Sequence, residues 1–145
     1  MGELDKIRTS DGGFVAWRWV SFTPKEMLCR CGECDSFVDV QFMDSLQWLR
    51  DAYGKPMPVT SGHRCEAHNR AVGGSGTSGH LTGRAADIQV KWGDALDLLI
   101  LAHKRGFTRF GVNQRGVMKG GLSIWGWIGQ NQQFGAINGR INLSG

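Results

Sequence analysis

A histidine and an aspartate stand seven positions apart in the stretch Thr77-Ser78-Gly79-His80-Leu81-Thr82-Gly83-Arg84-Ala85-Ala86-Asp87-Ile88. Such a pair suits a divalent metal. A catalytic zinc takes three protein ligands from His, Asp, Glu and Cys and leaves a fourth position for water. His80 offers a neutral imidazole from a loop, and Asp87 offers a carboxylate from a strand expected over residues 86–90. Gly79 and Gly83 are expected to take positive φ and fold the loop back, so that both side chains reach one ion. The competing reading is a solvated, glycine-rich surface loop, because two ligands alone are a weak motif.

A second group of ligand-type residues is Cys29, Cys31 and Cys34, spaced C-x-C-x-x-C, with Cys65 further along. They read either as a structural zinc site, with a tighter first spacing than the usual finger patterns, or as reduced and partly buried thiols. The charged start of the chain has no apolar leader, which implies synthesis in a cytoplasm and makes stable disulfides less expected. No catalytic role is assigned to these cysteines.

The chain that must hold these groups has 145 residues, 41% hydrophobic and 21% charged, which suits one globular domain with its own core. No run is long and apolar enough to span a bilayer, so no membrane partner is expected. The net charge of +4 favours anionic partners. Its basic residues are scattered, which makes nucleic acid an unfavoured partner; a nucleic-acid binder with a Cys-based zinc site stays as a distant rival.

Alternation over residues 14–20 predicts a short strand. Thr23-Pro24-Lys25-Glu26 carries a helix-start signature, with a Thr cap, Pro at the first helical position and Glu three after the cap. Phe42, Met43, Leu46, Leu49 and Tyr53 recur at helical spacing over residues 39–53, Trp48 is expected to extend that buried face, and Gly54 is the stop. Residues 55–62 read as a turn into a short strand that its prolines confine to an edge or a strand start. A loop with a short helical turn follows over 63–72, then the glycine-rich approach to His80. Ala95, Leu98, Leu99, Leu101 and Ala102 define a second helix over 94–105, stopped by Gly106, and residues 108–112 alternate as a strand. The expected fold class is α+β: a single domain with a small mixed or antiparallel sheet packed with two main helices.

Ser61-Gly62-His63-Arg64-Cys65 through His68-Asn69, followed by Ser78-x-His80-x-x-Gly83-x-Ala85-x-Asp87, resembles the zinc D,D-peptidases of bacterial peptidoglycan. That group includes D-alanyl-D-alanine carboxypeptidases, VanX-type dipeptidases and phage peptidase endolysins. The resemblance covers about residues 21–115, leaving 1–20 as an N-terminal extension and 116–145 as an atypical C-terminal segment. It implies Zn2+ as cofactor, held by His80 and Asp87, with Arg64 and Ser78 as substrate-binding residues. It further implies hydrolysis of peptidoglycan stem peptides, as a D,D-carboxypeptidase or an endolysin-type endopeptidase, by a phage or bacterial protein acting on the cell wall. His63 is expected as a wall of the site, His68 and Asn69 as loop braces, and His103 as an exposed helix-end residue.

The pattern then breaks. The family carries its third zinc ligand, a histidine, on a late strand, with the catalytic carboxylate close by. Here the last histidine is His103 and no Asp or Glu follows Asp97. From Gly116 onward the charged side chains are Lys119 and Arg140 alone, among eight glycines. Read from the third nucleotide of each codon, residues 121–137 permit Phe-Ile-His-Leu-Gly-Val-Asp followed by Arg-Pro-Glu-Ser-Thr-Val-Trp-Ser-Tyr and a stop. Two origins fit: a divergent but genuine end, or a frameshift near residues 115–120. The general base is not identifiable, so the enzyme reading carries impairment with it. The alternative is a non-catalytic cell-wall-binding or phage structural module that keeps the peptidase fold.

Overall fold

The computed structural model describes residues 6–115 and 119–125. Lys6–Arg8 (β1) and Phe14–Ala16 (β2) form an antiparallel hairpin. The strand predicted over 14–20 stops at Ala16 because both following indoles turn onto backbone and side-chain acceptors. Trp17 Nε1 donates to the Phe22 carbonyl at 2.8 Å, and Trp19 Nε1 to Asp44 Oδ1 at 2.8 Å. Ile7 and Trp19 are buried in the same core as the rest of the chain.

Pro24–Met27 (α1) starts as its sequence dictates, with Thr23 and Glu26 forming a reciprocal capping box. Val40–Tyr53 (α2) is capped by Asp39 and ended by Gly54 in the left-handed region, at φ +72. Val59–Ser61 (β3), Glu66–Ala71 (α3), a 3-10 turn at Gly79–Thr82 and Ala85–Val90 (β4) follow. Next come a 3-10 turn at Trp92–Asp94, Ala95–Arg105 (α4), Arg109–Arg115 (β5) and Lys119–Trp125 (β6).

Four strands make one antiparallel sheet in the order β3-β4-β6-β5. The α+β class and the two main helices are as expected, and the sheet is antiparallel. Helix α2 contributes Phe42, Met43, Leu46 and Leu49 to the core, and α4 contributes Leu98, Leu99 and Ala102. Phe42 meets Phe107 edge to face with centroids 5.6 Å apart. On β4 the period of two puts Ala86, Ile88 and Val90 into this core and leaves Asp87 half-buried on the opposite side.

Two expectations need correction. Trp48 does not extend the buried face of α2: it is 40% exposed and lies under the Arg105 guanidinium, 5.3 Å from the ring centroid. Leu46 and Leu49 already fill the inward stripe, and position 48 falls on its flank. Residues 119–125, where no strand was predicted, form the strand between β4 and β5. Gly120 and Gly121 give it poor intrinsic propensity, but pairing on both edges supplies what propensity lacks.

Asp39 joins several of these parts. Its Oδ1 accepts from Phe42 N at 2.9 Å, and its Oδ2 accepts from Ser10 Oγ and from Arg84 Nε, each at 3.1 Å. Asp39→Ala therefore removes a helix cap and two tertiary links, with an expected loss of about 2 kcal/mol. Asp39→Asn, which can still cap, should cost less; urea denaturation of the two variants measures the difference.

Candidate metal centre

Three local structures bring His80 to Asp87. The first is the close passage of β3 past α1. A Cβ on Gly62 would stand 2.4 Å from the Met27 carbonyl oxygen, so only glycine lets these backbones meet. His63 N then donates to that Met27 oxygen at 2.8 Å. The second is the 3-10 turn: Ser78 Oγ accepts from His80 N at 3.2 Å, and Gly83 closes the turn at φ +77. Of the two glycines expected at positive φ only Gly83 adopts it; Gly79 is inside the turn with ordinary φ, because the reversal needs a single left-handed residue. The third is β4 itself, in which Asp87 is the register partner of Ser61.

The result is His80 Nε2 at 3.3 Å from Asp87 Oδ1. His80 is buried, and its Nδ1 lies 2.6 Å from the Gly62 carbonyl oxygen. A carbonyl oxygen only accepts, so Nδ1 carries the proton, and in the neutral ring Nε2 is left as a bare lone pair. Two lone-pair atoms thus face each other, an arrangement that a positive charge between them, such as a metal ion, would stabilise. Ligands about 2.0 Å from a tetrahedral zinc stand about 3.3 Å apart, so this separation fits the ion. The carbonyl on the remote ring nitrogen is also the partner that metal-bound histidines ordinarily have.

The other candidates fall around this pair unequally. Arg64 N donates to the His80 carbonyl at 2.9 Å, which holds the arginine beside the centre, and Arg64 Nε is a buried donor without a protein acceptor. Ser78 is engaged as the cap of the His80 turn. Asn69 braces the following loop, donating from Nδ2 to the Ser75 carbonyl at 2.8 Å. His68 is in the last turn of α3, and its ring belongs to no cluster of three or more metal-type side chains among the described residues. His103 is half-buried rather than exposed, because it closes α4 where Phe107 turns into the core. A groove of about 450 Å³ lined by Tyr53, Lys55, Pro58, Gln89 and Asp94 opens at the far end of β4 and does not include the pair.

Among the described residues no third His, Asp, Glu or Cys joins His80 and Asp87; the one grouping of three or more metal-ligating side chains is Cys29, Cys31, Cys34 and Cys65. On β6 the register partner of Asp87 is Ser123. Sequence reasoning missed the Gly62 carbonyl and Ser36 as supports. The run Ser61-Gly62-His63 held the only hint, a glycine between two polar residues at a strand end.

His63 forms the wall behind the pair. Its ring centroid is 4.2 Å from that of Phe37, Ser36 Oγ is 2.7 Å from Nδ1, and the ring also bonds the Leu81 backbone. Burial, with a smaller contribution from His80, lowers its pKa from 6.5 to about 4. The unfolded chain therefore binds this proton first on acidification. Stability from a neutral His63 is complete above pH 6.5 and is lost as pH falls from 6.5 towards 4, by an amount on the order of 2–3 kcal/mol. The slope of unfolding free energy against pH in that window should shrink in His63→Phe, as urea titrations at successive pH values will record.

A family model described as peptidase M15 matches residues 20–117. Among curated proteins none matches the chain.

Proposed function

The chain belongs to the peptidase M15 family, and from that premise we propose that it is a zinc metallopeptidase-type domain directed at peptidoglycan stem peptides, with a metal centre that its own C-terminus leaves incomplete. The observation that carries this reading is the pair of facing acceptors, His80 Nε2 and Asp87 Oδ1, at 3.3 Å. Zinc, when bound, supplies Lewis acidity toward a carbonyl and a water of lowered pKa. His80 and Asp87 would hold it. Arg64, whose buried Nε donor lacks a protein acceptor, would receive a substrate carboxylate or carbonyl oxygen in the planar geometry of its guanidinium. Ser78 keeps its O–H available for substrate while its oxygen caps the His80 turn. Asp87 lies half-buried on the face of β4 opposite the helix-packed core, so substrate would approach from that side.

The missing ligand has a specific location in this reading. In the shifted frame the histidine codon spans the last nucleotide of the Ser123 codon and the first two of Ile124. Ser123 and Ile124 pair with Asp87 and Ala86 on the neighbouring strand. A histidine in register with Asp87, at position 123, would share the half-site's face of the sheet, whereas at 124 it would share the core face of Ala86; the first of these favours the frameshift reading. The coding sequence tests it directly: a Ser123 codon that ends in any base but cytosine excludes histidine and ends the frameshift reading.

Function is tested by incubating the full chain with zinc and purified stem peptides and following cleavage by mass spectrometry. Weak turnover is expected, abolished in His80→Ala and raised on the order of tenfold or more in Ser123→His, which supplies a third ligand. Peptidoglycan binding without turnover, unchanged by either substitution, would instead identify a wall-binding module.

A further inference from the structure

A second set of metal-type ligands converges at a distance in sequence from the His80–Asp87 pair. The Sγ atoms of Cys29, Cys31, Cys34 and Cys65 all lie within 4.8 Å of one another. Cys29 and Cys31 are separated by 3.4 Å and Cys31 and Cys65 by 3.8 Å. Sulfurs about 2.3 Å from a tetrahedral zinc stand about 3.8 Å apart, whereas a disulfide requires about 2.05 Å. All four are free thiols.

The backbone around them is built for thiolates. Cys65 N points at Cys29 Sγ at 3.4 Å, His68 N at Cys65 Sγ at 3.4 Å, and Glu33 N at Cys31 Sγ at 3.5 Å. Gly32, at φ +69, turns the loop between the first two cysteines and the third. Backbone N–H groups aimed at sulfur disperse thiolate charge and orient each sulfur towards a common centre. Neutral thiols are weak donors and weak acceptors and gain little from such crowding. Soft sulfur donors in a four-fold set select zinc among the common divalent ions.

We propose that Cys29, Cys31, Cys34 and Cys65 bind one structural zinc ion, releasing their thiol protons to solvent on coordination. Four protein ligands close the coordination sphere and leave no place for a reacting water. The ion acts as a clasp. It ties the loop that follows α1 to the start of α3, where Arg64 precedes Cys65 and bonds the His80 carbonyl. On the other side, Cys29 N donates to Ser36 Oγ, which bonds His63. Both arms brace the frame around His80 without touching substrate.

The test uses the full chain carrying His80→Ala, which removes the other half-site. Purified under reducing conditions, it should retain about one zinc per chain by elemental analysis, with its thiols protected from alkylation until a strong chelator is added. Exchange with cobalt(II) should give the sulfur-to-metal charge-transfer absorption and intense visible bands of a tetrahedral thiolate site. Cys31→Ser combined with Cys65→Ser should lose both signatures. Zinc-free protein with four freely alkylated thiols, isolation as disulfides, or a cobalt spectrum without thiolate character would each overturn the proposal. The cobalt spectrum of the His80→Ala chain decides the matter even where the double serine variant does not fold.

Discussion

The hydrogen bond from His80 Nδ1 to the Gly62 carbonyl determines what the rest of the site is able to do. It selects the tautomer, buries the proton on the remote nitrogen, and turns Nε2 towards Asp87 as a lone pair. That bond exists only because Gly62 lets β3 pass against the α1 backbone, where any Cβ would collide with Met27. A contact between two backbones thus fixes which ring nitrogen of a side chain on a third segment carries the bound proton.

The elements around this bond share one design. Short, capped turns carry the functional groups, and the helices and sheet carry the burial. The 3-10 turn is held by the Ser78 cap and the left-handed Gly83; β4 places Asp87 by its alternation; Asp39 links the start of α2 to Arg84 just before β4. Because α2 and α4 cover the other face of the sheet, the core can be close-packed without intruding on the Asp87 side. The proposed zinc would add a brace to the loop between α1 and α2, where Val38 and Cys29 are buried but Arg30, Glu33 and Asp35 are exposed.

If His80, Asp87 and the four cysteines are metal ligands as proposed, their positions also explain how a chain of this family keeps its frame while lacking part of the chemistry. The His80–Asp87 half-site and the four cysteines are all supplied before residue 90 and are positioned by local turns and by β3 and β4. The strand that completes the sheet, β6, comes from the part of the chain whose composition departs from the family. Its backbone ladder with β4 and β5 is satisfied by almost any sequence, whereas a metal ligand requires one particular side chain at one register position.

What the amino-acid sequence determined alone is what short-range physics encodes. The capping box at Thr23–Glu26, the apolar spacing of α2 and α4 with their glycine stops, the alternation of β4, and the nomination of His80 and Asp87 as a candidate ligand pair all follow from neighbours a few positions apart. Tertiary structure decided the rest. Trp48 lost its inward place to Leu49, Lys119–Trp125 became an interior strand against its propensity, and Cys65 met a loop more than thirty positions earlier. The His80 tautomer waited on a carbonyl eighteen residues away, because a proton's position on a ring follows from what the fold sets opposite it.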